Sequence, residues 1–229
     1  MNDQIDDLPD AAALVSSQMA YYDLRAPEYL DTSKSDRREI GAMAPKFVAE
    51  VVDEIGPSGN ALELACGTGV FTRELVRRVR SLTAIDASPK MLERNREMVR
   101  TPAVHYVEAD LFAWQPDRAY DMVFFSFWLS HVPPSEFDRV WALVRRCLAP
   151  GGRVAFVDED DRASERQDSR LVDGVPSARR TLSDGRTFDI VKVFWDPADL
   201  ERRLQSAGWD VSVRCVGASF LCGVGSLLV

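Results

Sequence analysis

Four short clusters in the chain combine residue types and spacings that can do chemistry. Ala65-Cys66-Gly67-Thr68-Gly69 sets two glycines one residue apart, directly after the apolar run Ala61-Leu62-Glu63-Leu64. Glycine lets backbone approach a ligand closely, and a helix beginning after such a turn offers unpaired N–H groups, so the pattern suits a nucleotide-like cofactor. Tight packing of a strand on a helix can demand the same glycines. Asp86 closes the next apolar run, seventeen residues after Gly69. That is close to the offset of about 20 at which a carboxylate accepts hydrogen bonds from ribose hydroxyls. Asp110, in Glu108-Ala109-Asp110-Leu111, follows a third run, where a carboxylate could accept from an adenine amino group. The fourth run, Tyr120 to Ser126, leads into Phe127-Trp128-Leu129-Ser130-His131. An imidazole there titrates near neutrality and could take a proton from an acceptor, or it could simply cap and orient the loop. The second histidine, His105, falls inside a strand and reads as structural.

These clusters need elements to hold them on one side of a sheet. Short apolar runs alternate with amphipathic stretches from residue 60 onward, the signature of βαβ units. Strands are expected at 61–65, 82–86, 104–108, 121–127 and 153–158, and helices at 70–79, 89–99 and 135–148. Pro89 suits a first helical turn, and Pro150-Gly151-Gly152 suits a tight turn into the fifth strand. All four chemical clusters then fall at the carboxyl side of a parallel sheet, where open α/β folds bind ligands. Residues 1–57 read as a helical cap, with Ile40, Met43, Phe47, Val48, Val51, Val52 and Ile55 at helical spacing and Gly56-Pro57 as a stop. The expectation is one domain: the cap, a cofactor-binding core over 58–160, an insertion over the site at 161–195, and a closing helix and strand pair at 196–229. The insertion is charged and irregular, with a short strand around 187–194.

Composition narrows the function classes. A formal charge of -8 leaves no broad positive field for a phosphate backbone, which argues against nucleic acid. The four cysteines form no close CxxC pair and there are two histidines, so neither a zinc site nor a disulfide framework is suggested, and reduced cytosol fits best. No uncharged run is long enough to span a bilayer, and Met1 to Asp10 resembles no export signal.

Taken in order, these segments resemble the class I S-adenosylmethionine (SAM)-dependent methyltransferases of small-molecule type. Glu63-x-Ala65-Cys66-Gly67-Thr68-Gly69 is similar to the family's first motif and Ile85-Asp86-Ala87-Ser88-Pro89-x-Met91-Leu92 to its second. Ala109-Asp110-Leu111, Tyr120-Asp121-Met122-Val123 and Leu148-Ala149-Pro150-Gly151-Gly152-Arg153 continue it. The resemblance implies a Rossmann-like α/β fold, a mostly parallel seven-stranded sheet with an antiparallel last strand and helices on both faces. It implies that Gly67 and Gly69 pass under the methionine part of SAM, that Glu63 orders the loop or reaches its amino group, and that Asp86 holds the ribose. Met91 would pack on the adenine, with Asp110 and the Leu111 backbone at its edge. Ala65 stands where the family often has glycine. Tyr22 and Arg25, in Tyr21-Tyr22-Asp23-Leu24-Arg25, resemble a lid over the methionyl carboxylate, though aromatics there could equally be packing for the cap. A dinucleotide reading fares worse, since Thr72 replaces the third glycine of GxGxxG.

Such an enzyme would move the methyl of SAM to an O or N atom of a small acceptor, leaving S-adenosylhomocysteine (SAH). Because the donor carries the reactivity, the protein must align, desolvate and sometimes deprotonate, and alignment alone can lower a barrier by roughly 7–11 kcal/mol. Ser126, Phe127 and Trp128 would flank the transferred methyl, the aromatics acting as a substrate wall or as ordinary packing, and His131 is the candidate base. The acidic run Asp158-Glu159-Asp160-Asp161 could draw a cationic acceptor or be solvated surface, whereas Arg179, Arg180, Arg186 and Lys192 could select an anionic one. No clustered ligand set for a metal is evident. The competing readings are a SAM-fold protein with altered, non-methylating chemistry and a non-catalytic SAM-binding partner.

Overall fold

The computed structural model describes residues 11–29, 44–166 and 168–228. The acidic start and the first part of the expected cap helix, including Ile40 and Met43, lie outside the described residues. A seven-stranded sheet is built from β1 (Asn60–Leu64), β2 (Ser81–Asp86), β3 (Val104–Glu108), β4 (Tyr120–Ser126), β5 (Leu148–Glu159), β9 (Trp209–Val216) and β10 (Phe220–Leu227). Its order is β3-β2-β1-β4-β5-β10-β9. The first five strands run parallel, Leu64 lying opposite both Ile85 and Phe125, while β10 runs antiparallel to β5 and β9. The expected closing pair is therefore in place. Strand order reverses between β1 and β4, so their carboxyl ends open a crevice suited to a ligand.

Period-2 alternation sends each strand's side chains to both faces, and both are covered by helices. Leu62, Leu64, Val123, Phe125, Val154 and Phe156 join one core with α5 (Phe137–Cys147) and α6 (Pro197–Ser206). Ala61, Met122, Phe124, Ala155 and Val157 join the other, against α2 (Pro45–Ile55), α3 (Thr72–Leu75) and α4 (Pro89–Val99). Gly223 in β10 has a specific reason to lack a side chain: a Cβ there would come 2.1 Å from the ring of Phe156, which stacks at 3° on Phe125.

Three elements differ from expectation. The helix expected over 70–79 shrinks to the single turn of α3, with irregular turns either side. The turn expected before the fifth strand is absorbed into β5: Leu148 pairs Tyr120, the register shifts, and pairing resumes at Arg153 opposite Met122. The insertion holds more order than its composition suggests, because β6 (Ser169–Val172), β7 (Val175–Thr181) and β8 (Thr187–Val191) form a separate antiparallel sheet. Helix α1 (Ala12–Arg25) packs on it, Leu14 against Val175 and Val191, and Tyr21 against Leu182 and Ile190. Among the described residues, no helix is long and apolar enough to cross a membrane.

Candidate functional site

A cavity of about 190 Å³ lies at the carboxyl edge of the sheet. One part of its wall is the turn after β1. Gly67 (φ +52°) and Gly69 (φ +92°) occupy the left-handed region, and so does Ala65 (φ +50°), where an alanine carries strain that glycine would not. A Cβ on Gly67 would meet nothing within 4 Å, whereas one on Gly69 would come 2.7 Å from Asn95 Oδ1. Gly69 thus serves helix packing, and Gly67 leaves space beside the backbone open.

Asp86, at the end of β2, faces the same cavity. Its Oδ2 accepts the Gly67 N–H and its Oδ1 the Ser88 N–H, each at 2.9 Å. Burial raises its carboxyl above the ordinary range, offset by these backbone donors. Each oxygen keeps acceptor capacity for a further donor, as a ribose diol requires. Ala87, Met91, Asp110, Leu111, Phe112 and Ser126 complete this end. Asp110 Oδ1 accepts the Phe112 N–H at 2.9 Å, which fixes its loop. This donor set, with an apolar methionine and two carboxylates, fits an adenosine group.

Gly69, packed against Asn95, does not line the cavity as Ala65, Cys66, Gly67 and Thr68 do, and neither does Glu63. Glu63 is buried beneath the turn. Its oxygens have no hydrogen-bond partner of good geometry, and burial pushes the carboxyl up to about 8, with the nearby Thr72 hydroxyl and Asp86 as smaller influences.

The rest of the cavity wall comes from α1, the turn after β4 and the small sheet. Tyr22 and Arg25 of α1 line it with Tyr29, and the Arg25 guanidinium lies 4.6 Å from the Tyr29 ring centroid. Phe127 (φ +52°) and Trp128 also line it, the first held by its N–H on Val157 O at 2.8 Å. His131 Nδ1 lies 2.8 Å from Val191 O and Nε2 lies 2.8 Å from the Tyr22 hydroxyl. A carbonyl only accepts, so Nδ1 carries the proton and Nε2 accepts from Tyr22. Burial, reinforced by Lys192, holds the imidazole well below its ordinary pKa, and burial raises the Tyr22 phenol well above its own. Both groups are neutral near pH 7. The His131 carbonyl accepts from Gln18 Nε2 at 3.1 Å, so one residue ties α1, β8 and the turn together.

Of the four insertion cations, Arg180 and Lys192 face the cavity; Arg179 and Arg186 are exposed and pair with Asp189 and Asp184. Lys192 is buried, donates to Ser130 Oγ at 2.9 Å and pairs with Glu159, which also lines the cavity. The acidic run is therefore largely spent inside the protein. Asp158 is buried and accepts from the Ser130 and Glu159 N–H groups, and Asp160 pairs with Arg162. Among the described residues, no group of three or more His, Cys, Asp or Glu could hold a metal ion.

Sequence reasoning missed Gln18 and Asn95. The signal for Asn95 was present: it stands four residues after Met91, on the buried stripe of α4, where a polar side chain has to find partners.

Comparison with known proteins adds to this geometry. Residues 61–152 match a family described as "Methyltransferase domain". A structure of DhpI in complex with SAH is 39% identical, with 94% of this chain and 97% of that chain covered and a TM-score of 0.79. A DhpI–SAM–HEP complex is 40% identical, covering 94% and 99%, with a TM-score of 0.80. Among curated proteins, nodulation protein S of Rhizobium tropici is 28% identical over 61% of this chain and 58% of its own length. Trans-aconitate 2-methyltransferase of Acidovorax sp. (strain JS42) is 36% identical over 44% of this chain and 38% of its own. The chain thus spans less than two thirds of these curated relatives' lengths.

Proposed function

Because the chain belongs to the class I SAM-dependent methyltransferase family, we propose that it transfers a methyl group from SAM to an oxygen of a small, negatively charged acceptor. The observation that carries the acceptor class is the convergence of Arg180 and Lys192 on the cavity wall beside His131. Among the described residues, Glu159 is the carboxylate set against them there, paired to Lys192. Cations confined in a low-dielectric cleft favour an anion far more than the same charges in water would. The relative named for trans-aconitate acts, by its name, on a carboxylic acid, which supports the reading.

SAM supplies the methyl as an electrophilic carbon on a sulfonium. The protein's own residues are assigned to holding and aligning. Asp86 and Gly67 would hold the ribose and methionine parts, Met91, Asp110 and Leu111 the adenine, and Arg25 with Tyr22 would close over the carboxylate end. Arg180 and Lys192 would fix the acceptor's charge, while Ser126, Phe127 and Trp128 wall the transfer path from water. An oxyanion attacks without losing a proton, so a neutral, doubly hydrogen-bonded His131 is suited to orienting Tyr22 rather than to proton removal. The polar acceptor end speaks against a purely non-catalytic SAM binder.

Titration calorimetry with SAM and SAH, followed by transfer of a labelled methyl from SAM to a panel of carboxylates, phosphates and phosphonates against neutral alcohols and amines, tests the reading. Cofactor binding with label moving only to oxyacids is the expected result. No cofactor binding, or label moving only to neutral or cationic acceptors, overturns it.

A further inference from the structure

Asn95 is fully buried on α4 and touches the glycine turn at two points and Thr72 of α3 at a third. Its Nδ2 donates to Cys66 O at 3.3 Å, Gly67 O at 3.1 Å and Thr72 Oγ1 at 2.8 Å, and its Oδ1 accepts from the Tyr106 hydroxyl at 2.9 Å. The orientation of the amide is set by chemistry: two carbonyls can only accept, so the NH2 must face them and the oxygen must face Tyr106. Cys66 C=O and Gly67 N–H belong to one planar peptide unit. Its carbonyl end is held by Asn95 and by the Gly69 N–H, each at 3.3 Å, and its amide end by Asp86 Oδ2. Glycine rotates through left- and right-handed conformations at little cost, so the Gly69 contact alone is a yielding hold on the carbonyl and Asn95 is the rigid one.

We infer that Asn95 is a positioning residue for the cofactor: by fixing the Cys66–Gly67 peptide it keeps the Gly67 N–H on Asp86 and so orients the carboxylate that receives the ribose. The inference rests on the cofactor reading above. Tyr106, half-buried on β3, sets the amide's rotamer, so the cofactor turn is referenced to the third strand as well as to its own. The 2.7 Å approach of a Gly69 Cβ to Asn95 Oδ1 gives that glycine its purpose: it admits Asn95.

The test uses the full chain and needs no acceptor. SAH affinity is measured by calorimetry for wild type, Asn95→Asp and Tyr106→Phe, together with melting temperature and hydrogen exchange of the Gly67 amide without ligand. Asn95→Asp sets a non-donating carboxylate against two carbonyls, and SAH affinity should fall at least about tenfold. Tyr106→Phe deletes one hydrogen bond, and affinity should fall about three- to fivefold. In Tyr106→Phe the melting temperature should stay within about 4 °C of wild type. The Gly67 amide should exchange faster while amides of β2 do not, a pattern that general loosening would not give. If Asn95→Asp does not fold, Tyr106→Phe decides. Wild-type SAH affinity and unchanged Gly67 exchange in Tyr106→Phe overturn the inference. Failure of the wild type itself to bind SAH overturns the cofactor reading instead, and this inference with it.

Discussion

The Tyr22 hydroxyl donates to His131 Nε2 at 2.8 Å while His131 Nδ1 donates to Val191 O at 2.8 Å, so every polar proton of the pair is committed. A base must have a free lone pair aimed at its substrate, and His131 has none in this arrangement. Tyr22 lines the cavity, and His131 decides which way its hydroxyl proton points.

His131→Gln should therefore lower the methyl-transfer rate only about tenfold, and the rate at pH 6–9 should carry no ascending limb assignable to an imidazole. A general base contributes about 10²–10⁴-fold, so a loss in that range with an altered pH profile would assign proton removal to His131. Steady-state rates across pH for wild type, His131→Gln and Tyr22→Phe check this.

Asp86→Asn keeps the size of the side chain but replaces an acceptor by a donor facing the Gly67 or Ser88 N–H. SAH affinity should fall roughly 10–100-fold, the range for losing charge-assisted hydrogen bonds. Calorimetry gives the value directly, and affinity within threefold of wild type would remove Asp86 from the cofactor site.

Arg180→Ala should raise the KM for an oxyacid acceptor by about tenfold and leave SAH affinity unchanged, because the side chain lines the cavity and is assigned above to the acceptor's charge. Lys192→Met is the less clean variant, since it also strands Glu159 without its cation. A parallel loss of SAH affinity in Arg180→Ala would move that arginine to the cofactor.

Glu63→Gln should stabilise the protein at alkaline pH. The carboxyl titrates near 8 when folded against an ordinary 4.5, so between those values the folded state holds a proton that the unfolded state has released. Stability contributed by this group therefore falls as pH rises from 4.5 and levels off above 8. Glutamine abolishes the effect. The melting temperature of Glu63→Gln should exceed that of wild type by several degrees at pH 8.5 and converge with it towards pH 4.5. Parallel melting curves at both ends would show that Glu63 is ionised in the fold.

Much of the site was legible because it depends on local order. Gly67, Asp86, Met91 and Asp110 each follow a strand that alternation and apolar runs mark out, and the sheet brings their loops to one edge. What could not be read depends on pairing distant in sequence. Lys192 meets Glu159, Ser130 and His131 only because β8 folds back over the turn after β4, and of the small sheet the insertion's sequence marks only β8, as the strand expected around 187–194, and not β6 or β7. The acidic run was ambiguous for the same reason: its carboxylates find N–H groups and cations through contacts that composition cannot specify. The helix expected at 70–79 failed because its pattern of valines and arginines is equally suited to a packed, irregular turn.

The Ser88 hydroxyl accepts the Met91 N–H at 3.2 Å, capping α4, and donates to Asp23 Oδ1 of α1 at 2.8 Å; Lys90 meets the other oxygen of Asp23 at 2.6 Å. The cap helix is thus fastened at the first turn of the helix that carries Met91 and Asn95. Swinging α1 away from the cavity must release this clasp, half of which is an ion pair open to solvent. Rising ionic strength screens such a pair. The hold of the cap on the helix that carries Met91 and Asn95 is therefore set in part by the medium around the protein, and is tightest in dilute buffer.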